Sequence, residues 1–191
     1  MGHSSKTLRI GVIAEEVNDV DVLYEYTGKI IKQNQFSMPK FVGHGCGALR
    51  RKCQAWAQNL VTKGCTHIVV LHDLDRNDEK VLRGELDSSV KEFKEISIVL
   101  IPIEELEAWL LADPEAIQKV FNMQKTPNIS QHPERIKSPK EYLATLVAKG
   151  SKSIYINTMH NRKLAAAQKL TSLKKCPSFS SYPTFLKKAV G

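Results

Sequence analysis

No stretch of this chain is apolar for long enough to cross a bilayer. The best run, residues 96–103, is interrupted by Ser97 and Pro102, whereas a spanning helix needs about 20 apolar residues. Residues 1–6 hold nothing like the apolar segment of a signal peptide. On this reading the membrane and secreted classes are excluded. Cysteine is scarce: Cys46, Cys53, Cys65 and Cys176 form no CxxC pair and no zinc-ligand spacing. They read as reduced thiols in a cytoplasmic protein. There is no internal repeat and no low-complexity tract. Gly43-x-Gly45-x-Gly47 has the wrong spacing for a dinucleotide or P-loop fingerprint. Acidic residues are almost missing from the last part of the chain. Residues 114–191 carry 14 Lys/Arg and 3 Asp/Glu, whereas residues 1–113 carry 14 and 17.

What is present suits one α/β domain with a basic appendage. The 191 residues are 42% hydrophobic and 25% charged, enough to bury a real core. Apolar runs at 7–14, 36–42, 66–71 and 96–103 predict four strands, the second one weakened by Pro39 and so placed at an edge. Val20, Leu23, Tyr24, Thr27, Ile30 and Ile31 recur at helical spacing behind cap candidates Asn18 to Asp21. Further helices are predicted over 48–63, stopped by Gly64, and over 79–93 and 104–112. Asp113-Pro114 has the form of an N-cap and first helical position, opening a helix to 121. Alternating strands and helices point to a mostly parallel four-stranded sheet with helices on both faces. That core spans 1–121. Residues 122–191 then form a basic helical extension packed on it, with a capping box at Ser138-Pro139-Lys140-Glu141, a helix over 161–174 and a short last one.

Ligands of open parallel sheets bind beyond the carboxyl ends of the strands, and three of these ends are acidic. Glu15 follows the first strand, Asp73 and Asp75 follow the third, and Glu104 to Glu107 follow the fourth. In extended backbone Asp73 and Asp75 would project to one side. Such a grouping calls for a compensating cation, and oxygen donors suit Mg²⁺ or Mn²⁺ better than zinc. Taken singly, each carboxylate is better read as a loop or cap residue; it is the joint arrangement that points to a site. His72 would point away from Asp73 and reads as a packing or supporting residue, and His160 as a cap-region histidine. His44-Gly45-Cys46 matches no metal or nucleophile motif. Trp56 and Trp109 read as core, and Tyr142, Tyr155 and Tyr182 in the basic region are candidates for stacking on unpaired bases, though nothing in their spacing requires it.

The run of strand, Glu15, a loop with Asp19 opening a helix, then strand and Asp73-x-Asp75 resembles the TOPRIM domain. That domain occurs in topoisomerases, primases and overcoming-lysogenization-defect nucleases. The closer resemblance is to the TOPRIM-like bacterial family called domain of unknown function 4276. It is carried by residues 10–23, 43–47 and 69–78, by Glu-Ala-Trp-Leu-Leu-Ala-Asp at 107–113, and by 138–143 and 176–179. The resemblance implies a Mg²⁺-dependent (or Mn²⁺-dependent) nuclease acting on DNA or RNA, in anti-phage defence and beside an ATPase partner. It implies catalytic and metal roles for Glu15, Asp73, Asp75 and Glu107, and a metal role for Asp113. Glu16 departs from the pattern, since many TOPRIM proteins have glycine there. Arg162, Lys163, Lys169, Lys174 and Lys175, on or beside one predicted helix, are the expected phosphate contacts. Two other readings stand beside the nuclease: a catalytically weak nucleic-acid-binding or regulatory module, and a phosphate-receiver domain. The receiver needs a lysine after the last strand, where 102–107 offers only carboxylates. A homodimer is compatible with the size of the domain.

Overall fold

The computed structural model describes residues 7–32, 36–43 and 45–190. The expectations for residues 1–6 and for His44 lie outside them. Strands β1 (Leu8–Ala14), β2 (Phe36–Ser37), β3 (Lys40–Val42), β4 (His67–Leu71) and β5 (Ser97–Leu100) form one parallel sheet. β1 lies between β4 and the β2/β3 edge, and β5 closes the other side. The predicted strand over 36–42 is thus two short pieces on one edge, which is why five strands appear instead of four. Pro39 lies in the break, where it has no N–H to give to a ladder, and its carbonyl accepts from Val12 N–H at 2.8 Å.

Alternation along the strands divides the core in two. Ile10, Val12, Ala14, Val69, Leu71 and Leu100 face α1 (Val17–Ile31) and the C-terminal helices. Ile13, Ile68, Val70, Val99 and Ile101 face α2 (Cys46–Thr62) and α3 (Glu79–Ser89). Burying each such side chain contributes about 1.5–3 kcal/mol. Gly11 is where α2 comes closest: a Cβ there would stand 2.8 Å from Leu60 Cδ1. Gly64 ends the α2 segment with φ +82°, as its position predicts.

The predicted helix over 104–112 shrinks to α4 (Glu107–Leu110), followed by α5 (Pro114–Phe121) with Asp113 as its N-cap. The extension folds as α6 (Pro139–Gly150), α7 (Asn157–Ala167) and α8 (Ser181–Ala189). Its Leu143, Val147, Leu164, Leu173, Phe179, Tyr182 and Leu186 are buried in the same cluster as β1 and α1. Hydrophobic burial therefore runs straight across the 121/122 boundary. Two local expectations are corrected. Ser138 makes no capping-box bond and adopts φ +47°; the Lys140 N–H at the start of α6 is taken by Glu105 Oε2 at 2.8 Å. The helix expected over 161–174 starts and ends earlier, at Asn157–Ala167. The chain turns out at Gln168, whose buried amide accepts from Tyr26 OH (2.5 Å) and donates to the Trp109 carbonyl (2.7 Å). Cys53, Cys65 and Cys176 are free thiols. Among the described residues no helix is long and apolar enough to cross a membrane.

Candidate functional site

The carboxyl ends of β1, β4 and β5 converge, and five carboxylates lie around them, near enough for their charges to act on one another. Glu15 directly follows β1. No hydrogen-bond donor reaches its buried Oε1; His72 Nδ1 stands 3.0 Å away, while the ring proton goes to the Asp73 carbonyl at 2.6 Å. Burial lifts the Glu15 carboxyl above the usual range, His72 opposes this and Asp75 adds to it. His72, fully buried, thus supports the site from behind.

Asp19 comes from the first turn of α1, where its Oδ2 accepts the Glu16 N–H at 2.9 Å in a reciprocal capping box. Glu16 is therefore a helix cap whose exposed side chain also accepts from Asn157 Nδ2 at 3.3 Å. Burial pushes the Asp19 carboxyl up to about 7, with Glu107, Glu16 and Glu15 adding to the rise. Asp73 is central. Its Oδ1 accepts the Leu106 N–H at 2.9 Å, and its carboxyl is held well above the usual range, first by burial and then by Asp19, Glu107, Glu15 and Asp75.

Asp75 corrects the alternation argument. β4 ends at Leu71 and the chain turns, so Asp75 has φ +48° and is exposed instead of following Asp73 into one extended row. It lines a cleft of about 450 Å³ with Arg76, Asn77, Glu104, Glu105 and Ser138. Three of these, Asp75, Glu104 and Ser138, hold left-handed backbone without being glycine, a conformation that costs of order 1–3 kcal/mol each.

Glu107 opens α4 and is buried. Its Oε1 accepts from Tyr155 OH at 2.8 Å and from Asn161 Nδ2 at 3.1 Å. Asp113 does not join the group. Its Oδ1 accepts from Ala116 N–H (3.2 Å) and its Oδ2 from Lys169 N–H (2.8 Å), so it caps α5 and ties the chain after α7 to it. Asp19, Tyr155 and Asn161 were missed as site residues by the sequence reading. Only Asp19 left a signal, a carboxylate one helical turn beyond Glu15. Tyr155 and Tyr182 are buried and unavailable for stacking; Trp109 is buried core with its Nε1–H on Ser178 Oγ at 2.8 Å.

The basic residues do not form one stripe. Arg162 pairs with Glu25 at 2.8 Å and Lys169 with Glu115 at 2.6 Å, while Lys175 donates to the Ala112 carbonyl at 3.1 Å. Arg162 and Lys163 follow Asn161 on α7, and Arg162 also lies over the Tyr24 ring at 5.5 Å. Lys169, Lys174 and Lys175 lie beyond that helix. His160 Nδ1 accepts the Ile156 N–H at 3.0 Å, a cap contact.

The donor set fits a hard divalent cation: all oxygen, with Glu15 Oε1 unpartnered and no Lys or Arg ion pair to Glu15, Asp19, Asp73, Asp75 or Glu107 among the described residues. In this arrangement, however, no three His, Cys, Asp or Glu side chains among the described residues are drawn together closely enough to hold an ion. The model of the family described as Domain of unknown function (DUF4276) matches residues 20–187. That span takes in Asp73, Asp75, Glu107 and the extension, and starts just past Glu15 and Asp19. No curated protein and no solved structure matches the chain.

Proposed function

We propose, for a chain that belongs to the DUF4276 family, a Mg²⁺-dependent nuclease that hydrolyses phosphodiester bonds in DNA or RNA. The observation that carries this reading is the convergence of Glu15, Asp19, Asp73, Asp75 and Glu107 with no Lys or Arg ion pair to offset them among the described residues. Carboxylates so grouped either take up protons or take up a cation. Asp73, Asp75, Glu15 and Glu107 are the residues that would hold Mg²⁺ or Mn²⁺, with Asp19 beside them, and Asp113 is left out. Bound there, the cation would supply charge neutralisation for an in-line displacement at phosphorus.

The chain's own groups have definite tasks in this reading. The Leu106 N–H fixes Asp73, Tyr155 and Asn161 fix Glu107, and His72 stands against Glu15. As an alternative to ligating the cation, Glu15, partly desolvated, is the carboxylate suited to take a proton from an attacking water. Arg162 and Lys163, on the same helix as Asn161, would meet the phosphate backbone, giving salt-dependent and sequence-tolerant binding. Lys169, Lys174 and Lys175 lie farther along the chain and contribute at most outlying contacts. The defence setting, the ATPase partner and the homodimer rest on the resemblance and on size alone.

One observation favours a second reading. Because no three His, Cys, Asp or Glu side chains among the described residues stand closely enough to hold an ion, the same fold would also serve as a regulatory nucleic-acid-binding module with little or no turnover. Cleavage of plasmid, single-stranded DNA and total RNA with Mg²⁺ or Mn²⁺, beside Asp73→Ala and Glu15→Ala, separates the two. Metal-dependent cutting that both substitutions abolish supports the nuclease. Absence of cutting together with absence of Mn²⁺ binding by calorimetry removes it and leaves the regulatory module.

A further inference from the structure

A second cavity lies well away from the carboxylates. It is formed by the C-terminal end of α1, the segment after α7 and the start of α8, and it encloses about 440 Å³. The acidic site uses the N-terminal turn of α1; at about 1.5 Å per residue the helix separates the two by roughly 20 Å. The inner wall is apolar, made of Ile30, Leu173, Cys176 and Phe179, all buried. The mouth is cationic: Lys32, Lys174 and Lys187 line it, each is exposed, and none makes an ion pair among the described residues. Lys29 also lines it, but its ammonium is committed to the carbonyls of Ala165 (2.7 Å) and Gln168 (2.6 Å) and braces the wall. Among the described residues no carboxylate lines the cavity.

This combination is selective. A pocket of a few hundred Å³ with apolar walls and a few converging polar groups is the usual shape of a small-molecule site. An uncharged apolar compound would leave the lysines unused, and a nucleic-acid backbone would leave the apolar wall unused. We propose that this cavity binds a small amphiphilic anion, an apolar chain or ring ended by a carboxylate or a phosphate. The body lies against Ile30, Leu173, Cys176 and Phe179, and the head meets Lys32, Lys174 and Lys187. Lys174, on the sequence a candidate nucleic-acid contact, is assigned here to this mouth instead.

The test is calorimetric titration of the whole chain, without divalent cation, with decanoate, decyl phosphate and decanol. Working without metal keeps the outcome independent of the nuclease reading. The expected result is binding of at least one of the anions with a dissociation constant of about 10–100 µM, and decanol at least about tenfold weaker. Comparing the two heads shows whether carboxylate or phosphate is preferred. Thr171→Trp fills the mouth from an exposed position and is expected to weaken the anions at least about tenfold with an unchanged circular dichroism spectrum. The triple variant Lys32→Gln, Lys174→Gln, Lys187→Gln is expected to weaken the anions similarly and leave decanol unchanged. The proposal is overturned if neither anion binds below about 1 mM, if decanol binds as tightly as the anions, or if folded Thr171→Trp and the triple variant both bind like the parent chain.

Discussion

The Tyr155 hydroxyl donates to Glu107 Oε1 across 2.8 Å, joining the C-terminal extension to the acidic cluster inside the protein. Burial and the neighbouring Glu107 raise the Tyr155 phenol above its ordinary range, so it remains a proton donor at any working pH. Its one proton is shared with Asn161 Oδ1 at 2.5 Å, while Asn161 Nδ2 donates to Glu107 Oε1 at 3.1 Å, so Glu107 Oε1 is spent on orientation. In metal sites such supporting bonds typically govern affinity by 10–100-fold. Tyr155→Phe is therefore expected to weaken Mn²⁺ binding by about tenfold. The same substitution made on top of Glu107→Gln should add almost nothing, since its effect runs through Glu107. Equal losses in both backgrounds, read by calorimetry, would show that Tyr155 only packs.

The carboxyls of Asp19, Asp73 and Glu15 are all raised in the folded chain, Asp19 to about 7. Above the unfolded carboxylate range but below the folded value, the native state holds more protons than the unfolded one, so stability falls as pH rises. For Asp19 the contribution is complete below the ordinary aspartate range and is lost as pH climbs through about 7. In metal-free buffer the melting temperature should drop between about pH 5 and about pH 8, and Asp73→Asn should flatten that drop. A divalent cation should restore stability at the alkaline end and do little at the acidic end, where protons compete for the same oxygens. A melting temperature indifferent to pH over this range would contradict the repulsion on which the functional reading stands.

Asp113 gives the opposite expectation. Both its oxygens are used by backbone N–H groups, of Ala116 and Lys169. Asp113→Ala is expected to cost about 1–3 kcal/mol in denaturant unfolding, from a lost helix cap and an orphaned buried amide. Mn²⁺ affinity should stay within about twofold, well inside the change that loss of a ligand or its support produces. A large loss of metal affinity without loss of stability would return Asp113 to the ligand set.

Period-two alternation in β1, β4 and β5 made the sheet readable, because each strand residue has a core on one side or the other. The Asp113-Pro114 cap was readable for a similar reason: its partners lie within one helical turn. Legibility failed wherever the deciding partner is remote. Glu105 replaces Ser138 at the start of α6, Gln168 ends α7 through bonds to Tyr26 and Trp109, and Tyr155 turns inward to Glu107. Asp73 and Asp75 were recognised as a pair, but the turn after β4 gives them different surroundings. The basic tail looked like a binding stripe because charge is visible in sequence, whereas the carboxylates and carbonyls that occupy Arg162, Lys169 and Lys175 are not.

Gln168 offers the sharpest test that extension and sheet domain fold as one body. Its side chain accepts from Tyr26 OH on α1 and donates to the carbonyl of Trp109 on α4, all three residues being buried. Replacing it with leucine keeps the volume close but strands the Tyr26 hydroxyl away from water, while the Trp109 carbonyl keeps the Ala112 N–H at 3.2 Å. A stranded buried hydroxyl costs about 1–3 kcal/mol, so Gln168→Leu should lose about 1–3 kcal/mol in a single cooperative transition. Arg162→Ala removes an exposed ion pair to Glu25 and an exposed contact over the Tyr24 ring, and should cost about 1 kcal/mol. If Gln168→Leu instead unfolds in two steps, with the extension melting first, the shared core is weaker than its packing implies. A single transition shifted to lower denaturant establishes that the residues holding Glu107 belong to the same folding unit as those holding Asp73.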